Sequence, residues 1–228
     1  RYTSTRPKGC KTSVRGSYSQ LSNDAIDPQL FCLHDEGQYS EPGYKLEPYS
    51  ADLEVSWRWC HSMRRDKPVL IPEQIAYYGL ADEKDSPVNR FVHDTSSGSA
   101  IGGGMLEASL FGLFEVIERD GYMAGWYGKF PYPKLDCSDA KDPNITMLLA
   151  RAKAEGYLVH VFDMTLESGV PSIWAIIEDP REDAPVRSYC AAGCRTDPEK
   201  AIVAALVEVI TSMAVYRVRT SLTPLPMK

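Results

Sequence analysis

The sequence predicts an α+β fold, with mixed β-sheets and helices packed on them in two pseudo-repeated α/β portions. Three observations carry this. Short segments of alternating or continuous apolar character recur at 53–59, 67–72, 157–163, 171–178 and 186–191, as strands require. Two long stretches, about 105–127 and about 198–216, carry apolar residues at helical spacing. Twice a glycine-containing segment, Ile101–Gly104 and Ala192–Gly193, leads into such a helix with a Glu farther along.

Residues 1–50 are rich in Ser, Pro, Gly, Tyr and Lys and read as loop with one short helix near Asp27–His34. Leu53–Trp59 alternates apolar and polar, the pattern of a half-buried strand. Lys67–Pro72 reads as a short buried strand closed by proline, with Arg64–Lys67 as the turn before it. Ile75–Leu80 is apolar without a clear period, and Ala81–Asn89 is a charged loop. The helix over about 105–127 stops before Phe130-Pro-Tyr-Pro. Ile145–Glu155 reads as a helix ended near Gly156. Tyr157–Asp163 and Pro171–Glu178 read as an antiparallel pair joined around Glu167–Gly169, with Val186–Ala191 as a third strand. Thr196-Asp-Pro-Glu199 then supplies a cap, a first-turn proline and an acidic residue for the last helix. Ile202, Ala205, Leu206, Val209 and Met213 form its apolar stripe, and Glu208 lies off it.

The 228 residues, 43% hydrophobic and 25% charged, suit a globular chain able to bury a core. The net charge of −6 argues against non-specific nucleic-acid binding. No apolar run is long enough to span a bilayer, and Arg1–Lys8 lacks the apolar core of a signal peptide, so a cytoplasmic location is expected. The six Cys are scattered, and reduced thiols are expected. Cys190 and Cys194 are the close pair, without a second pair or a His at zinc spacing. The four His read as structural or surface residues. Trp57, Trp59 and Trp174 read as packing residues.

The chemistry concentrates in Thr95–Asp120, where a Ser/Gly-rich loop enters a helix carrying Glu107, Glu115 and Glu118. At 100° per residue, with Glu107 at zero, Glu118 falls at ~20°, Glu115 at ~80° and Arg119 at ~120°. Leu110, Leu113, Phe114 and Ile117 fall between about 240° and 340°, a separate stripe expected to face the core. Carboxylates sharing one helix face repel one another. They are tolerated at a solvated face or where cations sit, and both readings are open from spacing alone. Hard divalent cations take carboxylate oxygens and leave coordination sites for phosphate, while a helix N-terminus favours phosphate. Tyr122, at ~60°, shares the acidic face, and Asp120, at ~220°, lies off it.

The run Glu115-Val-Ile-Glu-Arg-Asp-Gly-Tyr-Met-Ala-Gly-Trp-Tyr127 resembles the YcaO superfamily. The resemblance continues through Asp163-Met-Thr, Val170-Pro-Ser-Ile-Trp, Asp197-Pro-Glu-Lys-Ala-Ile and Leu206-Val-Glu-Val-Ile-Thr-Ser, covering about residues 50–220. Within the superfamily it is most similar to the docking-scaffold branch of thiazole/oxazole-modified peptide biosynthesis, the streptolysin-type bacteriocins included. The resemblance implies ATP-dependent modification of a peptide backbone. A Cys, Ser or Thr side chain attacks the preceding amide carbonyl, ATP phosphorylates the resulting oxygen, and loss of phosphate leaves a thiazoline or oxazoline. It further implies that Glu107, Glu115, Glu118 and Glu208 hold Mg²⁺ and ATP, with Arg119 as a phosphate contact.

Two positions depart from the pattern the resemblance implies. Gly103 stands where an Asn or Gln is usual, and Ala204 where an Arg is usual. Arg1-Tyr2 resembles the tail of an upstream acidic motif, so the chain is expected to hold part of such a protein: 1–50 as the tail of an N-terminal portion and 51–228 as a partial ATP-binding domain. The expected partners are a precursor peptide, a leader-peptide-binding protein and a second copy of the chain, with neither nucleic acid nor membrane. The alternative function is a non-catalytic scaffold that binds partner proteins or precursor peptide without ATP turnover.

Overall fold

A computed structural model describes residues 13–31, 33–80, 89–93 and 95–218. The charged loop expected at Ala81–Asn89 lies, but for Asn89, outside the described residues, as does Arg1-Tyr2. The chain divides into two compact units, Arg1–Ser96 and Ser97–Lys228. The expected boundary at residue 50 differs from this division, because the first segment supplies an edge strand to the sheet of residues 55–72.

In the first unit that strand is β1 (Val14–Gly16), followed by the single-turn helix α1 (Tyr18–Leu21), a 3-10 turn at Pro28–Phe31 and α2 (Glu36–Tyr39). The 3-10 turn occupies the place where sequence analysis puts a short helix. β2 (Val55–Ser62) and β3 (Lys67–Pro72) form a hairpin, with Asp66 in the left-handed region at φ 47°. The single turn α3 (Glu73–Ala76) follows directly. The antiparallel sheet runs β1-β2-β3, with Val14 opposite Trp57 and Trp57 opposite Pro72. Trp57, Val55, Leu70, Phe91 and Ala25 form its core. The buried indole of Trp57 donates to the Gly16 carbonyl at 2.9 Å, which ties β1 in place. Arg58 on β2 and Glu73 on α3 form a buried ion pair at 2.7 Å.

The second unit begins with α4 (Met105–Gly128), which Lys129 ends in a left-handed conformation at φ 53° before Phe130-Pro131. α5 (Pro143–Ala154) is capped by the Asp142 carboxylate, which accepts from the Asn144 N–H at 3.0 Å. Gly156, at φ 86°, turns the chain into the next strand. β4 (Leu158–Asp163), β5 (Ser172–Glu178) and β6 (Ser188–Cys194) make a second antiparallel meander, with Phe162 opposite Trp174 and Trp174 opposite Ala192. β6 lies slightly later than the expected Val186–Ala191. Asp197 caps α6 (Pro198–Val218), its carboxylate accepting from the Glu199 N–H at 2.9 Å.

The α6 stripe read from the sequence is buried as expected: Ile202, Ala205, Leu206, Val209 and Met213 pack on the sheet with Ile173, Ala175 and Ile177. Close approach requires a glycine on β6, since a Cβ on Gly193 would stand 2.7 Å from the Ala205 nitrogen. The α+β class and the hairpin pairing agree with the sequence reading.

The α4 stripe does not. Phe114 is buried, but Leu110 and Leu113 are 46% and 49% exposed. The reason is that α4 is anchored through glycines. Gly112 lies against the Gly98 carbonyl and Gly121 against the Met164 carbonyl, which a Cβ would approach to 2.6 and 2.8 Å. Burial of α4 thus follows its small residues rather than its leucines, and a periodicity of large apolar residues points to the wrong face.

Candidate functional site

The second unit contains a cleft of about 400 Å³ lined by Glu115, Glu118, Arg119 and Phe111 of α4, Arg195, Glu208 of α6, and Ala100 and Ile101 of the glycine loop. The polar groups come from three places in the sequence. α4 presents its acidic arc because its glycines hold it close to its neighbours. Cys194, the last residue of β6, is fully buried, and the chain reverses there into α6, which leaves Arg195 at the cleft. The backbone N–H of Arg195 donates to the Pro171 carbonyl at 3.1 Å and fixes that turn. Glu208 stands off the buried stripe of α6, so the helix can pack on the sheet and still present this carboxylate.

Four of the five residues singled out from the sequence therefore meet: Glu115, Glu118, Arg119 and Glu208. Glu107 is not among the lining residues. Its Oε2 accepts from the Gly103 N–H at 2.5 Å, so the carboxylate closes the loop ahead of its own helix. That loop is tight, since a Cβ on Gly102 would stand 3.0 Å from the Glu107 Cβ.

The charges are unevenly satisfied. Arg119 Nη2 lies 3.5 Å from Glu115 Oε1, an i,i+4 pair. Glu118 is pushed up to about 7, first by burial and then by the neighbouring charges of Glu208 and Glu115, against the opposing pull of Arg119 and Arg195. At neutral pH the cleft thus holds a carboxylate whose ionised form lacks sufficient compensation, which an additional cation would supply.

Other residues take quieter places. Tyr122 stacks on Trp126 at 6.0 Å between ring centroids, meets Trp174 edge-on and places its hydroxyl 3.9 Å from Cys190 Sγ, so it packs rather than lines the cleft. Burial, followed by Cys190, raises its phenol above the usual value. Cys60, Cys137, Cys190 and Cys194 are free thiols. Among the described residues, no helix is long and apolar enough to cross a membrane.

Sequence reasoning missed Arg195 and Phe111. Phe111 falls at ~40° on the α4 wheel, inside the acidic arc, and could have been found there. Arg195 carried one weak signal, its place at a strand-to-helix turn, and its approach to Glu118 depends on tertiary packing.

The sequence pattern of the YcaO cyclodehydratases, described as ATP- and Mg²⁺-binding, matches residues 1–225. The chain belongs to the YcaO family. An uncharacterised protein of Methanothermobacter thermautotrophicus is 30% identical over 214 residues, which are 92% of this chain and 55% of that protein. A heterocyclase solved in complex with substrate and cofactor superposes with a TM-score of 0.77 at 24% identity, covering 89% of this chain and 28% of the other. YcaO from Methanopyrus kandleri, solved bound with AMPPCP and Mg²⁺, superposes with a TM-score of 0.62 at 22% identity, covering 86% and 49%. The YcaO chain described here thus spans about half the length of its curated relative. The structural likenesses establish a shared α+β fold.

The donor set of this YcaO cleft suits a nucleotide with its metal. Three carboxylates offer oxygen ligands to a hard cation, and two guanidiniums suit an anion. Among the described residues no three His, Cys, Asp or Glu side chains converge into a metal cage of their own.

Proposed function

We propose that the cleft forms one wall of a Mg²⁺–ATP site in a cyclodehydratase that activates backbone amides of a ribosomal precursor peptide to form thiazoline or oxazoline rings. The observation that carries this reading is the convergence of Glu115, Glu118 and Glu208, from two separate helices, with Arg119 around one cleft. The nucleotide would supply a phosphoryl group to the amide oxygen, turning a poor leaving group into a good one. This chain's residues would bind and orient it. Glu118 and Glu208, from the two helices lining the cleft, would ligate the cation, and Glu115 would hold Arg119 in place for the phosphates. Glu107 closes the glycine loop whose Ala100 and Ile101 line the cleft. We further propose that such a protein works in bacteriocin-type biosynthesis in the cytoplasm, with a leader-peptide-binding partner and as a homodimer.

Calorimetric titration of the chain with Mg²⁺–ATP, and of Glu118→Gln and Glu208→Gln, tests the site. Magnesium-dependent binding that weakens at least tenfold in either variant is expected. Binding that both variants retain unchanged refutes it.

A second reading has its own support. Glu107 is turned onto Gly103, and Gly103 and Ala204 stand where polar partners of a nucleotide are usual. A non-catalytic docking scaffold, binding partner proteins or precursor peptide without turning over ATP, accommodates those losses. It predicts peptide or partner binding that does not respond to nucleotide.

A further inference from the structure

Resting on the nucleotide reading above, we propose that Arg195 is a phosphate-contacting residue that grips the phosphate chain together with Arg119. The two guanidiniums reach the cleft from different elements, Arg119 from the middle of α4 and Arg195 from the turn between β6 and α6. A phosphate chain in the cleft would be held by side chains from two separate elements.

Arg195 is supported differently from the ion-paired cations of the second unit. Arg119 lies against Glu115, Arg151 against Glu155, Arg181 against Asp179 and Lys200 against Asp142. Among the described residues no carboxylate lies within ion-pair distance of Arg195, although three line the same cleft. Neutral groups hold it instead. Nη1 donates to the Cys194 carbonyl at 2.6 Å, and the guanidinium carbon stands 5.3 Å over the Phe111 ring. A guanidinium carries five N–H donors in a rigid fork, so fixing one on a carbonyl sets the direction of the rest. An aromatic face orients a cation without neutralising it. The positive charge is therefore positioned and left for an anion. α6 offers no substitute one turn ahead of Glu208, where Ala204 packs against the close-fitting Gly193.

The test is calorimetric titration of the chain with Mg²⁺–ATP and with AMP, comparing the wild type with Arg195→Ala, Arg195→Lys and Phe111→Leu, each checked for an unchanged circular dichroism spectrum. Loss of charge-assisted hydrogen bonds predicts Mg²⁺–ATP binding roughly ten- to a hundredfold weaker in Arg195→Ala. AMP, which lacks the outer phosphates, should bind Arg195→Ala and wild type alike. Arg195→Lys should fall between, keeping the charge and losing the fork, and Phe111→Leu should weaken Mg²⁺–ATP alone. Should Arg195→Ala fail to fold, Arg195→Lys and Phe111→Leu carry the comparison. Equal Mg²⁺–ATP affinity in wild type and Arg195→Ala overturns this proposal and leaves the nucleotide reading standing. Equal weakening toward ATP and AMP assigns Arg195 a structural role and overturns it as well. A wild-type chain that binds neither nucleotide overturns this proposal and the reading of the cleft as a nucleotide site together, and leaves the scaffold reading standing.

Discussion

Replacing Glu118 by Gln should stabilise the metal-free chain at alkaline pH and remove part of its pH dependence. Glu118 sits at about 7 in the folded chain, against an ordinary value of 4.5. Folding therefore favours its protonated form. That preference is fully realised below about pH 4.5 and is lost as pH rises through 7, where the folded chain must ionise a buried carboxyl beside Glu208 and Glu115. At about 1.36 kcal/mol for each tenfold change in proton affinity, the gap corresponds to an upper figure of about 3 kcal/mol. The side chain opens onto the cleft, so solvent screening brings the expected figure to about 1–3 kcal/mol. Gln keeps the size and removes the charge. In EDTA, melting of the wild type and of Glu118→Gln should nearly coincide at pH 5 and diverge by pH 8.5, the variant being the more stable. Taking the difference between the two proteins cancels the other titrating groups. Mg²⁺ with nucleotide should narrow the gap at pH 8.5 by stabilising the wild type alone, because the cation binds the ionised form. A wild type and variant that keep a constant difference from pH 5 to 8.5 would refute the reasoning, since Glu118 would then be an ordinary solvated glutamate.

Other perturbations test the frame that positions the site. Gly121→Ala drives a Cβ to 2.8 Å from the Met164 carbonyl, and Gly193→Ala drives one to 2.7 Å from the Ala205 nitrogen. Each should cost about 1–3 kcal/mol by overpacking, read as a lower melting temperature, and each should weaken Mg²⁺–ATP binding by displacing α4 or α6. Arg58→Met removes the guanidinium 2.7 Å from the buried Glu73 carboxylate and should cost up to about 3–5 kcal/mol in denaturant titration. Pairing it with Glu73→Gln should recover much of the loss, and a double variant as unstable as the single would contradict the account. Leu110→Ser and Leu113→Ser, at half-exposed positions, should each change stability by less than about 1 kcal/mol; a loss of core size would show that these leucines are buried after all.

Much of the fold was legible along the chain because local patterns decided it. The register of polar and apolar residues in Lys67–Pro72 and Ser172–Glu178 specifies strands, and Asp142-Pro143 and Asp197-Pro198 specify helix starts through backbone capping. β1 escaped notice because three residues carry too little periodicity, and its strand character comes from pairing with β2 some forty residues on.

The sequence by itself determined that Glu115, Glu118 and Arg119 share one face of a helix, since helical geometry fixes that relation whatever surrounds it. It also determined that Glu208 stands off a buried stripe. Only tertiary structure decided that these two helix faces meet at one cleft, that Arg195 joins them from a strand-to-helix turn, and that Glu107 bends back to the Gly103 N–H. The physical reason is that α4 and α6 approach their neighbours through Gly112, Gly121 and Gly193, where missing Cβ atoms set the distance of approach. A residue recognised by what it lacks leaves no apolar period in the sequence. The same absence turned Leu110 and Leu113 outward and brought the carboxylates close enough to perturb one another.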